Sequence, residues 1–258
     1  MIEKTTAIVL RYAPSGETSR VVTWLTPSHG RVATILKGAL RPKSWFLGQY
    51  DLFYTCELLY YHRLDRTLYL AKECAPLKLR AGLRHDWRAA ALASYWSDLA
   101  GRVSPAQAPQ RALFNWLEEG LDTLVAQGAD LGLCAWQELQ LLHGLGLAPR
   151  LTTCIGCHTP LTRSGAPCGP AAFSSARGGL LCAACARHDR TEALPVPVDI
   201  QTILRRWQDA PTPAAARRIR CSASQTAALN RILGEFMTYH LDLALPSRSI
   251  AMDILLRP

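Results

Sequence analysis

The sequence lacks a long apolar segment and a secretory signal. Its N-terminus carries charged residues and then only a four-residue apolar run, Ala7 to Leu10, which is too short for the core of a signal peptide. No stretch approaches the roughly 18 uninterrupted apolar residues that a membrane helix needs. These absences predict a cytoplasmic protein without a membrane partner, in a compartment where thiols stay reduced.

Motifs of metal-dependent catalysis are also missing. The chain contains neither His-Glu-x-x-His nor His-x-Glu, and its basic N-terminal region has no Asp/Glu/His cluster that could hold Mg²⁺. A metalloenzyme such as a nuclease therefore stays a minor alternative, and no small-molecule substrate is indicated. The length of 258 residues is typical of one or two domains with an insertion.

Four of the nine cysteines form two Cys-x-x-Cys pairs, Cys154 with Cys157 and Cys182 with Cys185. The first pair continues into His158, and Cys-x-x-Cys-His is also a haem-attachment signature, but haem is normally attached there outside the cytoplasm. Four thiolates in two such pairs match the tetrahedral shell of structural Zn²⁺. We predict one structural Zn²⁺ per chain on these four cysteines, leaving no open position for catalysis.

Three neighbouring side chains are alternative zinc ligands. Cys168 and His158 lie in the 24-residue loop between the pairs, and His188 follows the second pair. Any of them can replace one of the four thiolates. The simpler interpretation places all three in solvent-facing loops.

The hydrophobic pattern divides the chain into a β-rich and a helical part. Five short β-rich runs within residues 1–80 predict a small closed barrel of the OB type, and an open five-stranded sheet is the alternative. From residue 81 onward, apolar residues recur at helical spacing. The predicted fold is α+β and multidomain: an OB-type barrel (1–80) and a helical domain (81–150 and 191–258) interrupted by a four-cysteine, zinc-ribbon-like insertion (151–190).

The net charge of +9 is concentrated on the predicted barrel. Residues 1–80 hold 12 Lys/Arg and 6 Asp/Glu, and several cations cluster along one strand and the loop after it. Trp45 and Phe46 follow directly. Cations neutralise phosphates while rings stack on bases, so this pattern is typical of single-stranded nucleic-acid binding. A solvated basic face beside buried aromatics is the alternative.

Motifs along nearly the whole chain resemble the RecO family of bacterial recombination mediators. The N-terminal region shares Glu17–Ser19, Thr26–Gly30, Lys37–Gly38 and Lys43–Ser44 with that family. Further along, similar segments follow in the family's order: "ELQLLHGLGLAPRLTTCIGC", "FSSARGGLLCAAC" and "YHLDLALPSRS". Pro42 and Trp45 depart from the pattern, because the family commonly has basic and small polar residues there.

The resemblance implies a non-enzymatic, nucleoid-associated protein that binds single- and double-stranded DNA and anneals complementary strands. With RecR, such a protein helps load RecA onto DNA coated by single-stranded DNA-binding protein (SSB), and RecF is a further possible partner. The residues expected to contact DNA are Arg11, Arg20, Arg31, Lys37, Arg41, Lys43 and Trp45.

The segment that resembles the family's SSB-tail region carries an apolar set at helical spacing. Trp136, Leu139 and Leu142 lie on the predicted helix, and Arg150 follows its end. An acidic tail with an apolar terminal residue would bury that residue and place its carboxylate near a cation. The alternative is that the stripe packs against neighbouring helices.

Composition alone leaves open another class of protein, an OB-plus-zinc-ribbon RNA-binding protein of translation or transcription.

Overall fold

The computed structural model describes residues 1–63, 66–163 and 166–257. It divides into two compact units, Met1–Gly128 (unit 1) and Ala129–Pro258 (unit 2). Within the described residues, no helix is long and apolar enough to cross a membrane.

Unit 1 begins with the predicted closed barrel. Its strands are β1 (Ile2–Ser15), β2 (Ser19–Thr26), β3 (Gly30–Leu36), β4 (Thr55–Tyr61) and β5 (Leu68–Lys78). They close in the order β1-β2-β3-β5-β4, with β3 and β5 parallel and the other neighbouring pairs antiparallel. The OB-type barrel is therefore confirmed, and the open-sheet alternative is wrong.

The barrel core includes the inward-facing side chains of the strands, whose alternation is clearest in β3 and β4. In β3, buried residues alternate with more exposed ones, as expected for a strand with one face inside. Trp24 is fully buried at the centre, and its indole N–H donates to the Thr34 hydroxyl at 2.8 Å. This bond satisfies a donor that would otherwise be buried without an acceptor.

Two helices complete unit 1, α1 (Trp87–Val103) and α2 (Arg111–Gln127), after a short 3₁₀ turn at Ala81–Arg84. Buried Arg80 links α2 to the residues around the start of β4: its Nη1 donates to the Phe53 carbonyl, and its Nε donates to Asp122 of α2, both at 2.6 Å. Burial opposes ionisation of Asp122, but hydrogen bonds from Lys78 and Arg80 outweigh it and lower its pKa. Whether residues 1–80 form an independent domain stays a prediction.

Unit 2 is helical with small β-elements. Its helices are α3 (Leu131–Gly144), α4 (Ala183–His188), α5 (Val198–Gln208), α6 (Pro213–Arg217), α7 (Ala223–Leu241) and α8 (Pro246–Leu255). Its strands are β6 (Thr162–Arg163), β7 (Ala166–Pro167), β8 (Ala171–Ser174), β9 (Gly179–Cys182) and β10 (Leu194–Val196). The cysteine-containing segment thus interrupts a helical region, as predicted.

A buried ion pair connects the first and last helices of unit 2. Arg248 of α8 donates to Glu138 of α3 through Nε at 2.7 Å and Nη2 at 3.2 Å. Glu138 is fully buried and Arg248 is 7% exposed. Arg248 Nη1 also donates to the Asn230 side chain at 2.9 Å. Removing either charge would leave the other buried without its counterion, which is strongly destabilising.

Candidate nucleic-acid surface and metal centre

The connection from β3 to β4, residues 37–54, presents the predicted DNA-binding cluster. A series of tight turns builds its first half, with backbone hydrogen bonds from Arg41 to Gly38 and from Ser44 to Arg41 at 3.1 and 3.0 Å. Leu40 N–H also donates to the Thr18 carbonyl at 2.8 Å. Gly38 has a φ of +68°, a conformation that glycine adopts without the strain of other residues. The chain is thereby folded into a projecting, hydrogen-bonded loop.

The loop side chains are open to solvent. Lys37, Arg41 and Lys43 are exposed, and none of the three forms a salt bridge with any residue that the structure describes. Trp45 is 95% exposed, although tryptophan is highly buried on average in folded proteins. These side chains are available to bind phosphates and to stack on bases.

The other three predicted DNA contacts are engaged within unit 1. Arg31 Nη1 donates to the Gly101 carbonyl at 2.7 Å, and Arg11 Nε donates to the Thr23 hydroxyl at 3.3 Å. The Arg20 guanidinium lies over the Tyr12 ring, 4.6 Å from its centroid. The structure therefore places the seven predicted residues in two groups: Lys37, Arg41, Lys43 and Trp45 project from the loop, whereas Arg11, Arg20 and Arg31 make intramolecular contacts.

The four predicted metal-binding cysteines come together in unit 2. Their Sγ atoms lie within 4.8 Å of one another, and no other such His/Cys/Asp/Glu cluster occurs among the described residues. Cys154 and Cys157 lie in the segment after α3, Cys182 ends β9 and Cys185 lies in α4. Residues far apart in sequence thus offer a set of four sulfur ligands that can hold a metal ion.

Backbone groups support this cluster. Cys182 N–H donates to Cys154 Sγ at 3.3 Å, and Cys185 N–H donates to Cys182 Sγ at 3.4 Å. A Cβ on Gly156 would lie 3.1 Å from Cys185 Sγ, so glycine permits the close approach. Hydrogen bonding to Thr159 lowers the pKa of Cys157 to about 6, whereas hydrogen bonds with Cys157 and Cys182 raise the pKa of Cys185 to about 12. Four sulfur atoms fit a thiophilic cation, which binds cysteine in its thiolate form.

The three alternative ligands lie outside the cluster. Cys168, His158 and His188 are all exposed, and none belongs to the group of four sulfurs. His158 adopts a left-handed conformation, with a φ of 60°. Its backbone N–H donates to the Cys154 carbonyl at 2.9 Å. In this structure, His158 closes the turn of the first cysteine pair.

Comparison with known proteins assigns the chain to a family. The family model described as Recombination protein O N terminal matches residues 1–80, and that described as Recombination protein O C terminal matches residues 84–249. Proteins named DNA repair protein RecO are similar over most of the chain. That of Roseiflexus sp. (strain RS-1) is 32% identical, covering 93% of this chain and 82% of its own. The chain belongs to the RecO family. The relative from Moorella thermoacetica is 30% identical, over 96% of this chain and 89% of its own.

In this RecO family chain, the four residues predicted to bind the SSB tail do not form one exposed stripe. Leu139 and Leu142 are 1% and 0% exposed, so they pack in the core of unit 2 and are inaccessible to a partner. For these two leucines, the structure agrees with the alternative that the stripe packs against neighbouring helices. Trp136 is half-buried, and its indole donates to the Ala210 carbonyl at 2.9 Å. Arg150 is exposed.

Sequence reasoning missed two exposed cations of the barrel. Arg63 and Arg66 lie in the connection between β4 and β5, and both are exposed. The available signal was a second occurrence of cations near aromatics, since Arg63 lies two residues after Tyr61 and Arg66 five residues after it.

Proposed function

We propose that this chain is a non-enzymatic DNA-binding protein of recombinational repair. It binds single- and double-stranded DNA, anneals complementary strands and, with RecR, helps load RecA onto SSB-coated single-stranded DNA; RecF is a further partner. The names of its relatives support the role in DNA repair. The cytoplasmic, nucleoid-associated location belongs to the same proposal.

The observation that carries the proposal is the loop after β3. It combines three exposed cations, Lys37, Arg41 and Lys43, with Trp45 at 95% exposure, on an OB-type barrel. Phosphate contacts carry no sequence information. They also leave the Watson–Crick edges of a strand free, so a strand held in this way can still pair with its complement. Annealing requires both properties.

Zn²⁺ is the proposed ion of the cysteine cluster. Cys154, Cys157, Cys182 and Cys185 would hold it, and when bound it supplies folding stability rather than catalysis. The four-sulfur donor set supports this choice, because soft thiolate ligands favour zinc among the common divalent ions.

SSB recruitment is proposed to involve unit 2. Docking of the acidic SSB tail would tether both proteins on the same DNA and raise their local concentration. Of the four candidates, Trp136 and Arg150 stay accessible for this contact. Replacing Arg150 with Glu should weaken binding of a tail peptide several-fold and leave DNA binding unchanged.

The decisive experiment is annealing of complementary oligonucleotides coated with SSB. The wild-type chain should accelerate annealing, and the variant with Lys37, Arg41 and Lys43 replaced by Glu should lose most of this acceleration. The matched control is Arg111→Glu, which changes another exposed cation of unit 1. Equal activity of both variants, or a wild type that binds RNA and ignores single-stranded DNA, would contradict the proposal.

A further inference from the structure

A strip of exposed apolar side chains crosses the outside of the barrel. Ile2 is paired with Tyr61, Tyr61 with Leu70, and Leu70 with Ile35, on four neighbouring strands. Residues directly opposite each other in a sheet share one face. Ile2, Tyr61 and Leu70 are 47, 39 and 36% exposed, and Leu68, two residues before Leu70, is 41% exposed. The strip is therefore continuous and open to solvent.

Cations surround one part of this strip. A cavity of about 580 Å³ opens over Tyr61, Leu68 and Leu70, and it is lined also by Lys37, Arg63 and Arg66. All three cations are exposed, and no described residue forms a salt bridge with them. Among the residues that the structure describes, none of those lining the cavity is acidic. The site thus combines positive charge with an aromatic ring and an apolar floor.

We propose that this cationic strip binds a stretch of single-stranded DNA, with phosphates on Lys37, Arg63 and Arg66 and a base on Tyr61. The inference rests on the proposed function and extends the DNA path beyond the loop after β3. Lys37 joins the two surfaces, because it follows β3 at the start of that loop and also lines the cavity. A strand bound to the loop can therefore continue onto the strip.

The chemistry favours a single strand over other occupants. A duplex presents phosphates on its outside and stacks its bases inside, so an apolar floor would gain nothing from it, whereas an unpaired strand can stack bases on an exposed ring. A peptide cannot add a β-strand here, because a closed barrel has no free edge. A symmetric contact with a second copy of the chain would bring the same cations of both copies together, and like charges repel.

The first test isolates the stacking contact. Tyr61→Ala in the full chain should weaken binding of a fluorescent oligothymidylate about tenfold, the typical effect of losing one stacked base. Tyr61→Phe keeps the ring and should bind normally. An abasic oligomer of the same length has phosphates but no bases, so Tyr61→Ala should change its binding little. Equal losses on both oligomers, or no loss on either, would overturn the stacking assignment.

The second test isolates the phosphate contacts. Each phosphate contact to a single strand contributes about 0.7 to the salt dependence of log K. Replacing both Arg63 and Arg66 with Ala should therefore lower this slope by about 1.4. The control Arg111→Ala removes an exposed cation at the first residue of α2, and its slope should match the wild type. An unchanged slope in the double variant would reject the inference.

The loop variants separate failure of this inference from failure of the proposed function. If Arg41→Glu with Lys43→Glu weakens oligonucleotide binding while the Tyr61 and Arg63/Arg66 variants bind normally, only the strip assignment is wrong. If the wild type does not bind the oligonucleotide, the proposed function fails as well. Loss of binding to an acidic peptide, with oligonucleotide binding intact, would assign the strip to a protein partner and overturn the inference.

Discussion

Units 1 and 2 place their critical charges in different environments. In unit 1, the cations of the loop after β3 project into solvent without salt bridges among the described residues, next to the exposed Trp45. In unit 2, Glu138 and Arg248 form a buried pair, and four cysteines converge within 4.8 Å. An exposed cation can exchange its counterions for a polyanion. Removing one partner of a buried pair is strongly destabilising, so mutations of these particular groups should change binding in unit 1 and stability in unit 2.

The largest effect is expected at the cysteine cluster. Cys154→Ser should release the metal and lose much of a binding free energy on the order of 10 kcal/mol, with a large fall in the melting temperature. Elemental analysis and thermal melting measure both effects. Cys168→Ser changes an exposed cysteine outside the cluster and should keep the metal. Metal loss in Cys168→Ser would mean that the ligand set is wrong.

The buried ion pair should give the next largest effect. Glu138→Ala leaves the Arg248 guanidinium buried without its carboxylate and should lower the free energy of unfolding by about 3–5 kcal/mol. Glu235→Ala removes the exposed pair with Arg231, whose atoms also lie 2.7 Å apart, and should cost less than about 0.5 kcal/mol. Chemical denaturation compares the two variants. Similar losses in both would remove the distinction between buried and exposed charges.

Trp45→Ala should affect binding alone. The side chain is 95% exposed, so its removal should leave thermal melting unchanged, whereas loss of base stacking should cost about 1–3 kcal/mol of binding free energy. Fluorescence anisotropy with single-stranded oligonucleotides measures the affinity. A lower melting temperature with normal affinity would mean that Trp45 stabilises the fold and does not bind DNA.

The smallest effect is expected for cations already engaged within unit 1. Replacing Arg11 and Arg31 with Ala should change oligonucleotide affinity less than about threefold, because both side chains donate to groups of the barrel and α1. The double variant Arg41→Ala with Lys43→Ala is the matched comparison and should bind more weakly. A larger loss in the Arg11 and Arg31 variant would mean that the DNA-binding surface includes these two residues.

Local pattern was enough to predict the barrel and the two cysteine pairs. Alternating side chains mark strands such as β3, and each Cys-x-x-Cys pair places two sulfurs close enough to hold one ion. That the two pairs meet depends on β9 and α4, which carry the second pair. The helical stripe near Trp136 was ambiguous, since apolar residues at helical spacing serve a core and a binding groove equally well. Burial of Leu139 and Leu142 became evident only from the surrounding helices.

The sequence alone was enough to predict the OB-type barrel, the group of four cysteines and the excess of positive charge on the N-terminal region, because these depend on local periodicity, short spacings and composition. Only the tertiary structure shows what each of these cations contacts. Arg31 and Lys37 lie six residues apart, yet one donates to the Gly101 carbonyl and the other lines an open cavity. The pairing of Glu138 with Arg248 joins positions 110 residues apart. Such contacts depend on how distant elements pack, and no short stretch of sequence encodes them.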